Sequence, residues 1–300
     1  MNAKISQQTF QHTSRQYQKR ITAFLKTYIS QQQADSEILT AALSYSLLAQ
    51  GKRIRPLICY GCAKALNIDP KQVDYIAASI EMIHAYSLIH DDLPAMDDDD
   101  LRRGQATCHI KYGEAQAILA GDALQCMAFE LLAQTPSSAT ISLKLIKHLA
   151  SASGIKGMVG GQALDLAAEN KTLSLLELKN IHHLKTGAII RACTQMVGFL
   201  SPEITAEQTK ALETLGENFG IAFQIIDDVL DVIGDEAKLG KPVGSDAALH
   251  KATYPELMGL ENSKKAANKH AQLANEALKK LPHDTGYLKQ LLDYLIIREN

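Results

Sequence analysis

Apolar residues recur three and four positions apart along nearly the whole chain, and no segment sustains the period-two alternation of β-branched residues that a half-buried strand needs. This regularity predicts an all-α fold. The spacing predicts helices over residues 7–30, 35–49, 56–66, 70–92, 114–133, 138–153, 174–197, 205–233, 255–280 and 286–298. Pro56, Pro70 and Pro255 stand where a first helical turn loses nothing by lacking an N–H. No low-complexity tract, fixed-period repeat or long linker interrupts the pattern, so residues 1–300 are expected to form a single-domain helical bundle. The segments 70–92, 174–197 and 205–233 are the most apolar and are expected to line its centre.

Composition narrows the classes of function. With 46% hydrophobic and 21% charged residues the chain is globular, not disordered. Lys and Arg number 31 against 33 Asp and Glu, a net charge of −2, which gives no overall field to attract a nucleic acid. Five cysteines, at 59, 62, 108, 126 and 193, form no disulfide framework and favour a reducing compartment. The first twenty residues are polar, unlike a signal peptide, and no apolar run is long enough to span a membrane. A cytoplasmic protein is expected.

Six of the ten residues 91–100 are Asp, in the run Asp91-Asp92-Leu-Pro-Ala-Met-Asp97-Asp98-Asp99-Asp100. Two carboxylates 4 Å apart repel by about 4 kcal/mol at an effective dielectric of about 20, so the cluster calls for a cation. Oxygen-only ligands point to Mg²⁺ rather than Zn²⁺, and the spacing lacks the alternate ligands and central Gly of a calcium loop. Downstream, Asp227, Asp228 and Asp231 sit in a still more apolar helix, with Asp227 and Asp231 four apart on one face. A solvated helix end explains one such cluster alone; two on separate apolar helices point to a shared need for metal. Mg²⁺ keeps coordination sites for phosphate oxygens, which implies a diphosphate ligand.

Basic residues accompany the clusters. Gly51-Lys52-Arg53-Ile54-Arg55-Pro56 opens a helix, where guanidinium groups and free N–H groups favour an anion. Arg102 and Arg103 follow the first Asp run, Lys185-Thr186-Gly187 interrupts an apolar helix, and Lys241 and Lys251 follow the second cluster. Taken singly, the basic turn and the Arg pair are equally explained as surface charge, and each lysine is better explained as a solvated side chain. His84 lies seven residues before Asp91 on the same helix face, as a phosphate donor or as a core histidine. His90, His182 and His183 read as structural, and Cys59-x-x-Cys62 lacks the second pair of a zinc site. The stretch Gly160-Gly161-Gln162-x-x-Asp165 fits a turn or a helix closing on the site.

Taken together, Asp91-Asp92-x-x-x-x-Asp97 with Arg102-Arg103-Gly104, Asp227-Asp228-x-x-Asp231, Gly51-Lys52-Arg53-x-Arg55-Pro56, Gly161-Gln162-x-x-Asp165 and Lys185-Thr186-Gly187 resemble the trans-isoprenyl diphosphate synthases, in that family's order and over residues 45–255. The resemblance implies helices around a deep central cavity, a homodimer, and a prenyltransferase joining isopentenyl diphosphate head-to-tail to dimethylallyl and geranyl diphosphate. It implies three Mg²⁺ ions, two held by Asp91, Asp92 and Asp97 and one by Asp227 and Asp228. Arg102, Lys185, Thr186, Gln224 and Lys241 would contact the allylic substrate, and Lys52, Arg55, His84 and Arg103 isopentenyl diphosphate. Lys185, Asp91, Asp227 and Lys241 would act in catalysis. In the family an aromatic residue five positions before the first Asp marks short products; Tyr86 holds that place, while helical arithmetic puts Ser87 beneath Asp91. The expected product is the fifteen-carbon farnesyl diphosphate. His250, where glycine is frequent, and Pro242 after Lys241 depart from the pattern. A longer-chain synthase, a terpene cyclase and a regulatory subunit are the rival readings; Tyr86, the Asp-Asp-x-x-Asp form of the second cluster and the completeness of the motifs weigh against each in turn.

Overall fold

The computed structural model describes residues 2–32, 35–169, 171–233 and 252–297, and the chain is all-α. In order run α1 (Asn2–Ser30), α2 (Glu37–Leu47), α3 (Ile54–Leu66), α4 (Pro70–Asp91), the two-residue strands β1 (Leu101–Arg102) and β2 (Gln105–Ala106), α5 (Cys108–Tyr112), α6 (Glu114–Ala133), α7 (Ala139–Ser153), α8 (Met158–Ala168), α9 (Leu175–Lys185), α10 (Gly187–Gly198) and α11 (Ala206–Ile233). Three further helices, Tyr254–Met258, Leu260–Leu278 and Gly286–Ile297, follow. Local chemistry sets several starts. Asp69 accepts from the Lys71 N–H ahead of Pro70, and Ser174 and Glu177 form a reciprocal capping box on α9.

The chain divides into two compact units, Met1–Tyr60 with Asp69–Ile146, and Gly61–Ile68 with Lys147–Asn300. In the first, α4 packs on α6, α2 and α1, burying Val73, Ile76, Ile80, Met82, Ile83 and Ile89 almost completely. Each such side chain contributes about 1.5–3 kcal/mol by leaving water. In the second, α11 packs on α10 and on Leu260–Leu278, and Ile225, Ile226, Val229 and Leu230 form a core cluster with Leu178 and Tyr254. No helix among the described residues is long and apolar enough to cross a membrane.

Two expected helices are corrected, one stretch left open between turn and helix is a helix, and a segment with no expected element holds a hairpin and a short helix. The helix expected over 174–197 is two, because Thr186 both ends α9 and begins α10. The helix expected over 255–280 breaks at Gly259, whose φ of +80° belongs to the left-handed region. The Gly160-Gly161 stretch lies inside α8: a Cβ on Gly161 would stand 2.2 Å from the Lys185 backbone N, so the glycine serves close packing, not a turn. A tight hairpin and a short helix, α5, occupy the segment after the Asp run. The hairpin pairs Leu101 with Ala106 and Arg102 with Gln105, and its central residues Arg103 and Gly104 have φ of +55° and +74°, as a type I′ turn requires.

Candidate active site

In the first unit, α4 delivers Asp91 and Asp92 to its carbonyl end. The helix dipole is negative there, so carboxylates at this place need a compensating cation. Asp92 is 3% exposed and accepts from Arg102 Nε at 2.6 Å; Arg102 also reaches Asp99 at 3.1 Å. Burial pushes the Asp92 carboxyl above its ordinary pKa and the Arg102 partnership opposes the shift. The following loop folds back, its Asp97 N–H donating to the Asp91 carbonyl at 2.9 Å, which returns a third Asp to the helix end. Asp98, at φ +51°, makes the reversal, and Asp98, Asp99 and Asp100 remain exposed.

Two turns back along α4, the His84 ring lies among Arg55, Arg103, Arg102 and Arg53, and burial and then these four charges hold its pKa well below the ordinary 6.5. The imidazole is therefore neutral and donates from one nitrogen only. Arg55 Nε is buried with no hydrogen-bond acceptor among the described residues, a donor without an anion. Lys52 stands exposed at the turn before α3, and Arg103 Nη1 donates to the Gln50 carbonyl at 2.9 Å. Tyr86 is 6% exposed and edge-on to His90, with ring centroids 5.4 Å apart; burial raises its hydroxyl pKa while a hydrogen bond with Gln125 of α6 opposes the rise. Ser87 is half-buried, with its Oγ donating to the His84 carbonyl. A pocket beside Asp92 is lined by Ala85, Leu88 and Ile89 together with Arg102 and Arg103.

In the second unit a polar pocket is lined by Asp165, His182, Lys185, Gln224, Asp228 and Thr253. Lys185 donates to Asp165 at 2.6 Å. Thr186, set at the break between α9 and α10, donates to Gln224 Oε1 at 2.9 Å; Gln224 Nε2 donates to Asp228 Oδ1 at 3.0 Å, and the Tyr254 N–H to Asp228 Oδ2 at 3.0 Å. Asp228 and Asp231 are 2% and 3% exposed, and Asp227 is half-buried. Both amide atoms of Gln162, His182 Nδ1 and the Tyr254 hydroxyl are buried with no partner among the described residues. Burial lowers the His182 pKa to about 4, so this ring too is neutral.

The sequence reading did not single out Arg53, assigned no role to Gln162 or Asp165, and took His182 as structural. The Gly161-Gln162-x-x-Asp165 motif was the available signal; its function appears only when α8 meets α9. Lys241 and Lys251, with His250 and Pro242, lie outside the described residues. Among the described residues no three His, Cys, Asp or Glu side chains converge on one point. A carboxylate-only donor set that offers one or two oxygens at a place, beside cations and unpartnered donors, suits a hard divalent ion that completes its shell from phosphate and water.

The polyprenyl synthetase family profile matches residues 36–295. Farnesyl diphosphate synthase of Haemophilus influenzae is 46% identical over 97% of this chain and 99% of its own length. The Escherichia coli farnesyl diphosphate synthase is 49% identical over 85% of this chain and 88% of its own. Among solved structures, the geranyltransferase from Helicobacter pylori, complexed with magnesium and isoprenyl diphosphate, superposes with a TM-score of 0.83 at 36% identity, covering 95% of each chain.

Proposed function

The chain belongs to the polyprenyl synthetase family, and from that premise we propose how its residues carry out the head-to-tail condensation of isopentenyl diphosphate with dimethylallyl and geranyl diphosphate to farnesyl diphosphate. It is a prenyltransferase. The observation that carries the reading is the polar pocket of the second unit, where an ammonium and two carboxylates face a common space beside unpartnered polar atoms. A metal diphosphate needs both signs of charge.

Asp91, Asp92 and Asp97 would hold two Mg²⁺ ions, and Asp227 and Asp228 a third. When bound, the ions neutralise negative charge gathering on the departing diphosphate. Lys185, Thr186, Gln224, Arg102 and Lys241 contact the allylic diphosphate. As the carbon–oxygen bond breaks, Lys185 meets a leaving group that is more negative in the transition state than in the bound substrate, so its charge lowers the barrier and not only the dissociation constant. Lys52, Arg55, Arg103 and neutral His84 grip isopentenyl diphosphate, Arg55 supplying its unpartnered Nε–H. Ala85, Leu88 and Ile89 beside Asp92 keep water from the allylic cation. Attack by the isopentenyl double bond adds five carbons, and the departed diphosphate takes the final proton.

Tyr86 limits the product to fifteen carbons, with Ser87 beside it. Ile118 and Leu119 of α6 are 44% and 49% exposed on adjacent positions, and a second copy of the chain covering them as a homodimer accounts for that exposure. The scattered cysteines support a cytoplasmic location. The test is purified protein with Mg²⁺, isopentenyl diphosphate and either dimethylallyl or geranyl diphosphate, product length read by mass. A fifteen-carbon diphosphate is expected; a twenty-carbon one moves the chain to the longer synthases, and no condensation refutes the proposal. Light scattering of the same sample gives the mass of the assembly.

A further inference from the structure

Arg53 is the middle residue of the basic turn that no role above uses. Its backbone takes φ of +52°, which an L side chain adopts only under constraint. The constraint is visible. The side chain is buried, with Nη1 donating to Glu81 Oε1 of α4 at 2.6 Å, while Nη2 donates to the Leu47 carbonyl at 2.8 Å and to the Ala49 carbonyl at 2.9 Å. One guanidinium thus caps the end of α2, ties it to α4 and closes the turn between α2 and α3.

The next carbonyl along, that of Gln50, accepts from Arg103 Nη1 at 2.9 Å. Gly51 lies directly beneath the same guanidinium: a Cβ there would stand 2.4 Å from Nη1. Gln18 Nε2 holds the Lys52 carbonyl at 2.9 Å, so the turn is fastened on both sides of Gly51. Arg103 itself sits at the tip of the type I′ hairpin, also at positive φ, so its direction depends on this acceptor.

Resting on the isopentenyl diphosphate site proposed above, we propose that Arg53, held by Glu81, is a positioning residue for that substrate: it fixes the turn at residues 49–52 so that the Gln50 carbonyl aims Arg103 at the isopentenyl phosphate. Arg53 does not touch substrate. It acts through Arg103 alone, the Lys52 carbonyl being held by Gln18, and the allylic site does not feel it.

Arg53→Lys tests this. A lysine keeps the charge beside Glu81 but, with one ammonium, cannot serve the same three acceptors. The expected result is a KM for isopentenyl diphosphate raised about tenfold, the scale of one lost charge-assisted hydrogen bond, with the KM for geranyl diphosphate within about twofold. In an Arg103→Met background the same change should leave the isopentenyl KM where Arg103→Met alone puts it, because the effector of the positioning is gone. Glu81→Gln gives the same split by a second route. An Arg53→Lys enzyme with unchanged KM, a rise in both KM values together, additivity with Arg103→Met, or loss of fold in both Arg53→Lys and Glu81→Gln would each overturn the positioning role. A wild type that makes no condensation product overturns the function itself and this role with it; an active wild type confines any failure to Arg53.

Discussion

Lys185 reaches Asp165 at 2.6 Å, with the two side chains 25% and 19% exposed. The carboxylate fixes where the ammonium stands, so it is already in place when a diphosphate arrives. Lys185→Met should therefore lower kcat by about a hundredfold or more, the scale of losing one preorganised donor to a developing anion, while the allylic KM moves less. Steady-state kinetics against geranyl diphosphate would show this, and a kcat within threefold of wild type would remove Lys185 from the transition state. Tyr86→Ala opens space beside α6, and mass analysis of its products should find chains beyond fifteen carbons; an unchanged product ends the case for Tyr86. Residue types were readable at this scale, since Asp, Lys and Arg in fixed spacing announce their chemistry. Partnerships were less so. Nothing in the order of residues says that Asp165 meets Lys185 twenty positions on, or that His182, read from sequence as structural, lines the polar pocket with its Nδ1 buried and unpartnered among the described residues.

Among elements, the crossing of α8 and α9 at Gly161 decides where Lys185 stands. Gly161→Ala places a Cβ 2.2 Å from the Lys185 backbone N and 2.6 Å from its Cα, neither of which belongs to a flexible side chain. The end of α9 has to shift, at a cost of about 1–3 kcal/mol in stability, and Lys185 shifts with it. Thermal melting and turnover should both fall; full activity in this variant would separate the crossing from the site. Helical periodicity located the long elements well because tertiary burial repeats the same period. It merged α9 with α10 because the apolar stripe continues through Thr186 while the backbone does not. It overlooked the hairpin because two-residue strands carry no pattern, and its turn reads Arg-Gly where Asn-Gly would have been the recognisable signal.

For the molecule as a whole, buried histidines set the response to acid. His84, His182, His183 and His270 all have pKa values lowered chiefly by burial. In the unfolded chain they take up protons near pH 6.5; in the folded protein they resist, so stability is full above that pH and falls as the pH drops below it. His182, lowered to about 4, accounts for roughly 3 kcal/mol of this between pH 6.5 and 4. Asp92, shifted upward, works in the opposite direction and alone does not offset them. Urea midpoints should decline steadily from pH 7 to 4.5, and His182→Gln should flatten part of that decline; a flat wild-type profile would refute the account. The family was legible from motifs spread across the chain, whereas the pairing of these histidines with their surroundings required coordinates. A last consequence concerns breeding such a protein for heat. Arg103 holds a backbone shape that glycine adopts freely, at a cost of about 1–2 kcal/mol to the native state. A screen that rewards survival at high temperature alone would therefore favour glycine at that position and harvest robust, idle protein; only a screen that counts product would keep the arginine.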